Sequence, residues 1–148
     1  MRYSAGIIPF RINNTTKELE FFLGHPGGYS WKNKNYWAFM KGHVEEGEDH
    51  FEAALRELYE ETSIDWRNEF FNFVDEISNE NDVKDLGQHK YVSGKDLHLF
   101  YINRNVDVKN LKCLSFFEKN GRKLPEVNFY KVSYEFTLKI FLHTHPVQ

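Results

Sequence analysis

The chain lacks most of the features that mark several common protein classes. It holds one cysteine, Cys113, so no internal disulfide and no thiolate metal cluster can form. That lone thiol is expected to act as a small apolar filler. No stretch approaches the ~18 consecutive apolar residues of a membrane-spanning helix, and the apolar part of the N-terminal MRYSAGIIPFR is too short for a secretory leader. A cytoplasmic location with no membrane partner is the resulting expectation. Basic residues number 19 against 22 acidic ones, for a net charge of −3, and no Lys/Arg block occurs. The basic stripe of a long nucleic-acid binder is therefore missing. A small phosphorylated ligand, its charge balanced by a cation, stays compatible.

Aromatic residues are plentiful instead: 17% of the chain, with 14 Phe and 8 Tyr, most of them expected in the core or on sheet faces. No repeat, linker or low-complexity tract divides the 148 residues, a length that suits one domain. Tyr3–Phe10 and Leu19–Gly24 read as strands joined by a polar turn, Asn13-Asn14-Thr15-Thr16. His25-Pro26-Gly27-Gly28 breaks the pattern, foremost as a turn and second as the edge of a ligand site. Tyr36–Met40 is a short apolar run leading into the loop KGHVEEGE. Further strands are expected at Phe70–Val74 and Leu97–Ile102, an irregular stretch over Asn103–Pro125, and a terminal helix over Val132–Leu142. Strands with one strong helix midway imply an α/β fold, a mixed sheet flanked by helices.

That central helix carries the chemistry. Asp49 suits its N-cap, with Glu52 three residues on. Phe51, Ala54, Leu55 and Leu58 follow i, i+3, i+4, i+7 and form one apolar face. Thr62-Ser63 should end the helix. On another face Glu57, Glu60 and Glu61 stand at i, i+3 and i+4, so three carboxylates share a side where like charges repel. A solvated acidic face is the plain explanation; hard oxygen ligands for Mg²⁺ or Mn²⁺ are the functional one.

Gly42 to Ile64 reads GHVEEGEDHFEAALRELYEETSI. It resembles the Nudix box: Gly, five residues, Glu, seven residues, Arg-Glu, an aliphatic residue, any residue, Glu-Glu, any residue, Gly, aliphatic. Every defined position matches except the final Gly, which is Ser63. Ser4-Ala5-Gly6, His25-Pro26-Gly27-Gly28, Trp37 and Lys41-Gly42 are similar to a bacterial Nudix subgroup, as are Ser93-Gly94-Lys95, Gly121-Arg122 and Pro125-Glu126-Val127. The Lys41–Glu48 run is also similar to asymmetrical diadenosine tetraphosphate hydrolases. Met40 stands where a Pro commonly precedes the Lys-Gly pair.

The resemblance implies a Nudix-type α/β/α sandwich with a mixed sheet, built around a loop–helix–loop. It implies that Glu57, Glu60 and Glu61, with the Gly42 carbonyl, hold Mg²⁺ or Mn²⁺. Arg56 would orient Glu57, and Glu48 would brace the loop. Glu61, Glu57 and Glu126 all remain candidates for taking the proton of the attacking water. Lys41 is a candidate phosphate contact, and His43 and Tyr36 are further substrate candidates. Trp37 and Phe39 can stack on a base or fill the core. His143 and His145 read as a solvated tail rather than a metal pair.

The implied activity is metal-dependent hydrolysis of a phosphoanhydride bond in a nucleoside diphosphate derivative, foremost a dinucleoside polyphosphate such as diadenosine tetraphosphate. Nucleoside triphosphate pyrophosphohydrolysis is the closest alternative. A non-catalytic nucleotide-binding module is a third, weakened because all three helix glutamates are present.

Overall fold

A computed structural model describes residues 2–28, 31–71, 83–92 and 94–134. Strand β1 (Arg2–Ile12) lies at the heart of a six-stranded mixed sheet. It pairs antiparallel with β2 (Leu19–Pro26) through residues 10–12. It pairs antiparallel with β3 (Met40–His43) through residues 4–7. On its other side it runs parallel to β5 (Lys95–Asn103). The antiparallel strands β4 (Val83–Val92), beside β5, and β8 (Val127–Ser133), beside β2, flank this centre.

Between β3 and β4 come helix α1 (His50–Thr62) and the short α2 (Arg67–Phe71). The Asp49 carboxylate caps α1 by accepting from the backbone N–H groups of Phe51 and Glu52. Ala53, Ala54, Leu55 and Leu58 are fully buried and pack with Ala5, Ile7, Phe22 and Ile102 of the sheet. Cys113 is buried in the same cluster, as its filler reading requires. A second cluster of Ile8, Phe39, Leu97 and Leu99 reflects the period of two along β1 and β5, which sends neighbouring residues to opposite faces.

Four expectations change. Lys41-Gly42-His43, read as the start of a loop, lie in β3, because they pair with Gly6, Ala5 and Ser4 of β1. Phe70 lies in α2, not in a strand, because its ring packs edge-on against Phe51 of α1; positions 72–74 fall outside the described residues. The stretch 103–125 is not irregular to its end. It closes with a hairpin, β6 (Phe116–Lys119) and β7 (Arg122–Pro125), turning on Asn120 and Gly121 with φ of 54° and 75°, which both residue types tolerate. Val132 and Ser133 close β8 rather than open a helix, since ladder pairing with Phe22 and Phe21 captures them. The rest of the expected terminal helix, with His143 and His145, lies outside the described residues.

Candidate active site

Strand β3 and helix α1 meet where two carboxylates are sunk into the protein. Glu57 is 8% exposed and Glu61 7% exposed. They stand at i and i+4, so both project from the side of α1 that meets β3 and the cleft beside it. Neither is a solvated surface acid. The Glu57 carboxylate lies so close over Gly42 that a Cβ there would come within 2.0 Å of its carboxyl carbon; Gly42 is glycine because the acid occupies that space. Glu61 accepts from the backbone N–H of Lys41 at 3.1 Å.

Burial raises both acids. Glu57 is pushed up to about 7 by desolvation, then by the neighbouring charge of Glu60, with Arg56 opposing. Glu61 is pushed well above the usual carboxylate range by desolvation and then by Glu57, with Lys41 opposing. The charge of Glu126 adds to the rise at both. Glu126, distant in sequence, thus sits within electrostatic reach of the helix acids. It is held there by backbone bonds from its N–H to the Ser115 carbonyl and from the Gly27 N–H to its own carbonyl, each 2.9 Å.

Arg56 ties the motif together. Its Nε and Nη2 donate to the two carboxylate oxygens of Glu48 at 2.9 and 3.1 Å. Its Nη1 donates to Glu57 at 3.0 Å and to both oxygens of Glu60 at 3.1 and 3.0 Å, and its Nη2 to the His43 carbonyl at 2.8 Å. Glu48 in turn accepts from the Glu45 N–H, and its pKa is held below the ordinary range, chiefly by the Arg56 guanidinium. One planar fork thereby fixes the loop, the strand end and the helix acids together.

A cleft of about 260 Å³ opens beside these acids, lined by Trp31, Tyr36, Phe39, Lys41, Glu61 and Glu126 among others. Trp31 and Tyr36 stack at 4.7 Å, tilted by 31°. Lys41 and Tyr36 both line it. His43 does not; it borders a separate depression with Arg2, Tyr3 and Glu45, and its carbonyl accepts from Arg56. Trp37 lies outside the lining, edge-on to His25. Trp31 was not anticipated as a site residue, because it belongs to no periodic element. Its place just after the His25-Pro26-Gly27-Gly28 break was the available signal.

A divalent cation fits this donor set. Buried, charge-poor carboxylates with raised pKa values gain most from added positive charge. Among the described residues no three His, Cys, Asp or Glu side chains form a ready-made cage.

A family model described as the NUDIX domain matches residues 2–132. An uncharacterised 17.7 kDa protein from the e-segB intergenic region of Enterobacteria phage T4 is 34% identical over 134 residues, covering 86% of this chain and 78% of that one. Among solved structures, a MutT/nudix family protein from Enterococcus faecalis superposes with a TM-score of 0.57 at 14% identity, over 88% of this chain and 42% of that chain. A C. elegans Ap4A hydrolase in a binary complex superposes with a TM-score of 0.50 at 19% identity, over 97% and 86%. At these identities the solved structures speak for the fold.

Proposed function

Because the chain belongs to the NUDIX domain family, we propose that it hydrolyses a phosphoanhydride bond of a nucleoside diphosphate derivative with a divalent cation, foremost a dinucleoside polyphosphate. The observation that carries this reading is the burial of Glu57 and Glu61 side by side. Removing two like charges from water is costly unless something positive completes the site. Core packing does not require them there. A phosphate–cation pair beside the cleft supplies what they lack.

In this reading Glu57, Glu60, Glu61 and the Gly42 carbonyl hold Mg²⁺ or Mn²⁺, with Glu126 nearby as a further oxygen donor or proton acceptor. When bound, such a cation neutralises phosphate oxygens and acidifies water. The chain's own residues do the positioning. Arg56 keeps Glu48, Glu57 and Glu60 in one arrangement, so little reorganisation is needed on binding. Lys41 places a positive charge at the cleft wall, suited to a phosphate oxygen. Glu57, Glu61 and Glu126 are the candidates for accepting the proton of the attacking water. Trp31 and Tyr36 offer an aromatic wall for a nucleobase.

The preference for a dinucleoside polyphosphate rests on the Lys41–Glu48 loop and on a cleft with an aromatic end and an acidic end. The C. elegans protein named as an Ap4A hydrolase shares the fold. The test is turnover with Mg²⁺ or Mn²⁺ on diadenosine polyphosphates, nucleoside triphosphates, ADP-ribose and nucleotide sugars, with products resolved by chromatography. Diadenosine tetraphosphate is expected to give ATP and AMP, and Glu57→Gln and Glu60→Gln to abolish turnover. Pyrophosphate released from a triphosphate as the main reaction would replace the substrate reading. No turnover by a folded, metal-bound protein would favour a binding module.

A further inference from the structure

His25 is 5% exposed and takes no part in the acidic site, yet both its ring nitrogens are engaged. Nε2 lies 2.8 Å from the Lys34 carbonyl oxygen. A carbonyl only accepts, so Nε2 carries a proton and donates. With the proton on Nε2, Nδ1 accepts, so the Asn128 side-chain amide on β8, 3.1 Å away, presents its NH2 to the ring. The ring is edge-on to Trp37 at 5.2 Å and to Phe129 at 6.1 Å. His25 therefore ties the sheet (its own strand β2 and its neighbour β8) to the backbone at Lys34, within the segment that presents Trp31 and Tyr36 to the cleft.

Backbone bonds also anchor the segment at its ends. Gly24 and Ala38 exchange hydrogen bonds of 2.8 and 3.0 Å, and Gly27 donates to Glu126. Between these anchors, inside the segment, a turn bond from the Lys34 N–H to the Trp31 carbonyl at 3.0 Å carries the His25 contact on to Trp31. The Lys34 ammonium lies 5.4 Å from the Trp31 ring centroid. A leucine of similar bulk would fill the space of His25 but donate nothing to the loop.

We infer that His25 is a positioning residue for substrate binding: it holds the Trp31–Tyr36 wall in place beside the acidic site, where a nucleobase can lie against it. The inference rests on the proposed hydrolase reading for its substrate, but not for its readout. The contacts of His25 are with Asn128, Lys34, Trp37 and Phe129 and not with the helix acids, so its loss acts on binding and leaves chemistry in place. With the wall unpinned, a ligand must order the segment itself, and affinity falls.

The test compares His25→Leu with His25→Gln, whose longer amide can still donate to the Lys34 carbonyl. On the best substrate of the panel, His25→Leu is expected to raise KM about ten-fold, the equivalent of one lost hydrogen bond with its ordering effect, while kcat stays within about three-fold. His25→Gln should recover most of the loss. In a Trp31→Ala/Tyr36→Ala background the same change should add nothing further. An unchanged KM, equal losses in kcat and kcat/KM, or an additive effect in that background would overturn the inference. If His25→Leu does not fold, His25→Asn replaces it, being too short to reach Lys34, with the same expected rise and the same overturning results.

A second readout needs no turnover. AMP binding should quench tryptophan emission, the quench should vanish in Trp31→Phe, and His25→Leu should weaken it about ten-fold. Quenching that follows this pattern in a protein without hydrolysis would sink the hydrolase reading and keep the inference. Hydrolysis with KM and quench indifferent to His25 would do the reverse.

Discussion

Gly42 has no room for a side chain, because the Glu57 carboxylate fills the place a Cβ would take. Gly42→Ala must therefore push Glu57 aside or lift β3 from α1. We expect it to cost about 1–3 kcal/mol, as overpacking does, and to weaken Mn²⁺ binding at least about ten-fold. Chemical denaturation and calorimetric titration measure the two; wild-type Mn²⁺ affinity would show that Glu57 is not a ligand. Ser63, where the motif usually has glycine, follows a different logic. It adopts the left-handed conformation expected of that position, with φ of 73°, which strains a side chain by about 1–2 kcal/mol. Its hydroxyl offsets part of the strain by donating to the Lys112 carbonyl, a bond worth about 1 kcal/mol. Ser63→Gly should accordingly change stability by no more than about 1 kcal/mol and leave turnover untouched. A large gain in either would contradict this balance.

At the scale of the element, α1 was the most legible part of the sequence, since Asp49 and the apolar face both lie within one turn or two of their partners. Its C-terminal end was not legible. The carbonyls of Glu60, Glu61 and Thr62 accept from the Leu114 N–H, the Tyr130 hydroxyl and the Lys112 N–H, groups that no local pattern points to. The Arg56 fork is intermediate: its spacing from Glu60 is helical, but its bonds to Glu48 and the His43 carbonyl depend on the loop folding back. Arg56→Lys loses the fork while keeping the charge. We expect about 2–4 kcal/mol of destabilisation, since Glu48, Glu57 and Glu60 would be left without matched donors, and a fall in kcat of ten-fold or more. Urea unfolding and steady-state kinetics would measure both, and a neutral result would reduce Arg56 to a surface ion pair. Strand β4 escaped notice because VKDLGQHKYV lacks alternation and bends at Gly87, where the register with β5 shifts. The β6–β7 hairpin escaped because its strands are short and mostly exposed, although Asn120-Gly121 is a recognisable turn signal.

For the whole molecule, the buried acids make stability depend on pH and on cations. Glu57 and Glu61 have folded pKa values raised above the ordinary 4.5. A raised carboxyl stabilises the fold in its protonated form. For both it is complete below about 4.5; Glu57 loses it as the pH climbs through about 7, and Glu61 as the pH climbs through its own raised pKa. Glu48 acts in the opposite sense: its folded pKa is lowered, so its contribution is present above 4.5 and fades as pH falls further. Protein freed of metal with a chelator is thus expected to melt at a higher temperature near pH 5 than near pH 8. Added Mg²⁺ or Mn²⁺ should restore the loss at the higher pH, because cations bind the deprotonated acids. Calorimetry across that range checks this; an apo protein most stable at the alkaline end would mean that Glu57 and Glu61 are not paired in burial.

The sequence by itself determined the mixed α/β class, the capped helix and the spacing of Glu57, Glu60 and Glu61, because these depend on periodicity and on contacts a few residues apart. Only the tertiary structure decided that two of those acids are buried, that Glu126 joins them across a long stretch of chain, and that Trp31 and Tyr36 face the same cleft. Desolvation and long-range charge depend on what the rest of the chain packs around a residue. Local sequence cannot encode them without the fold.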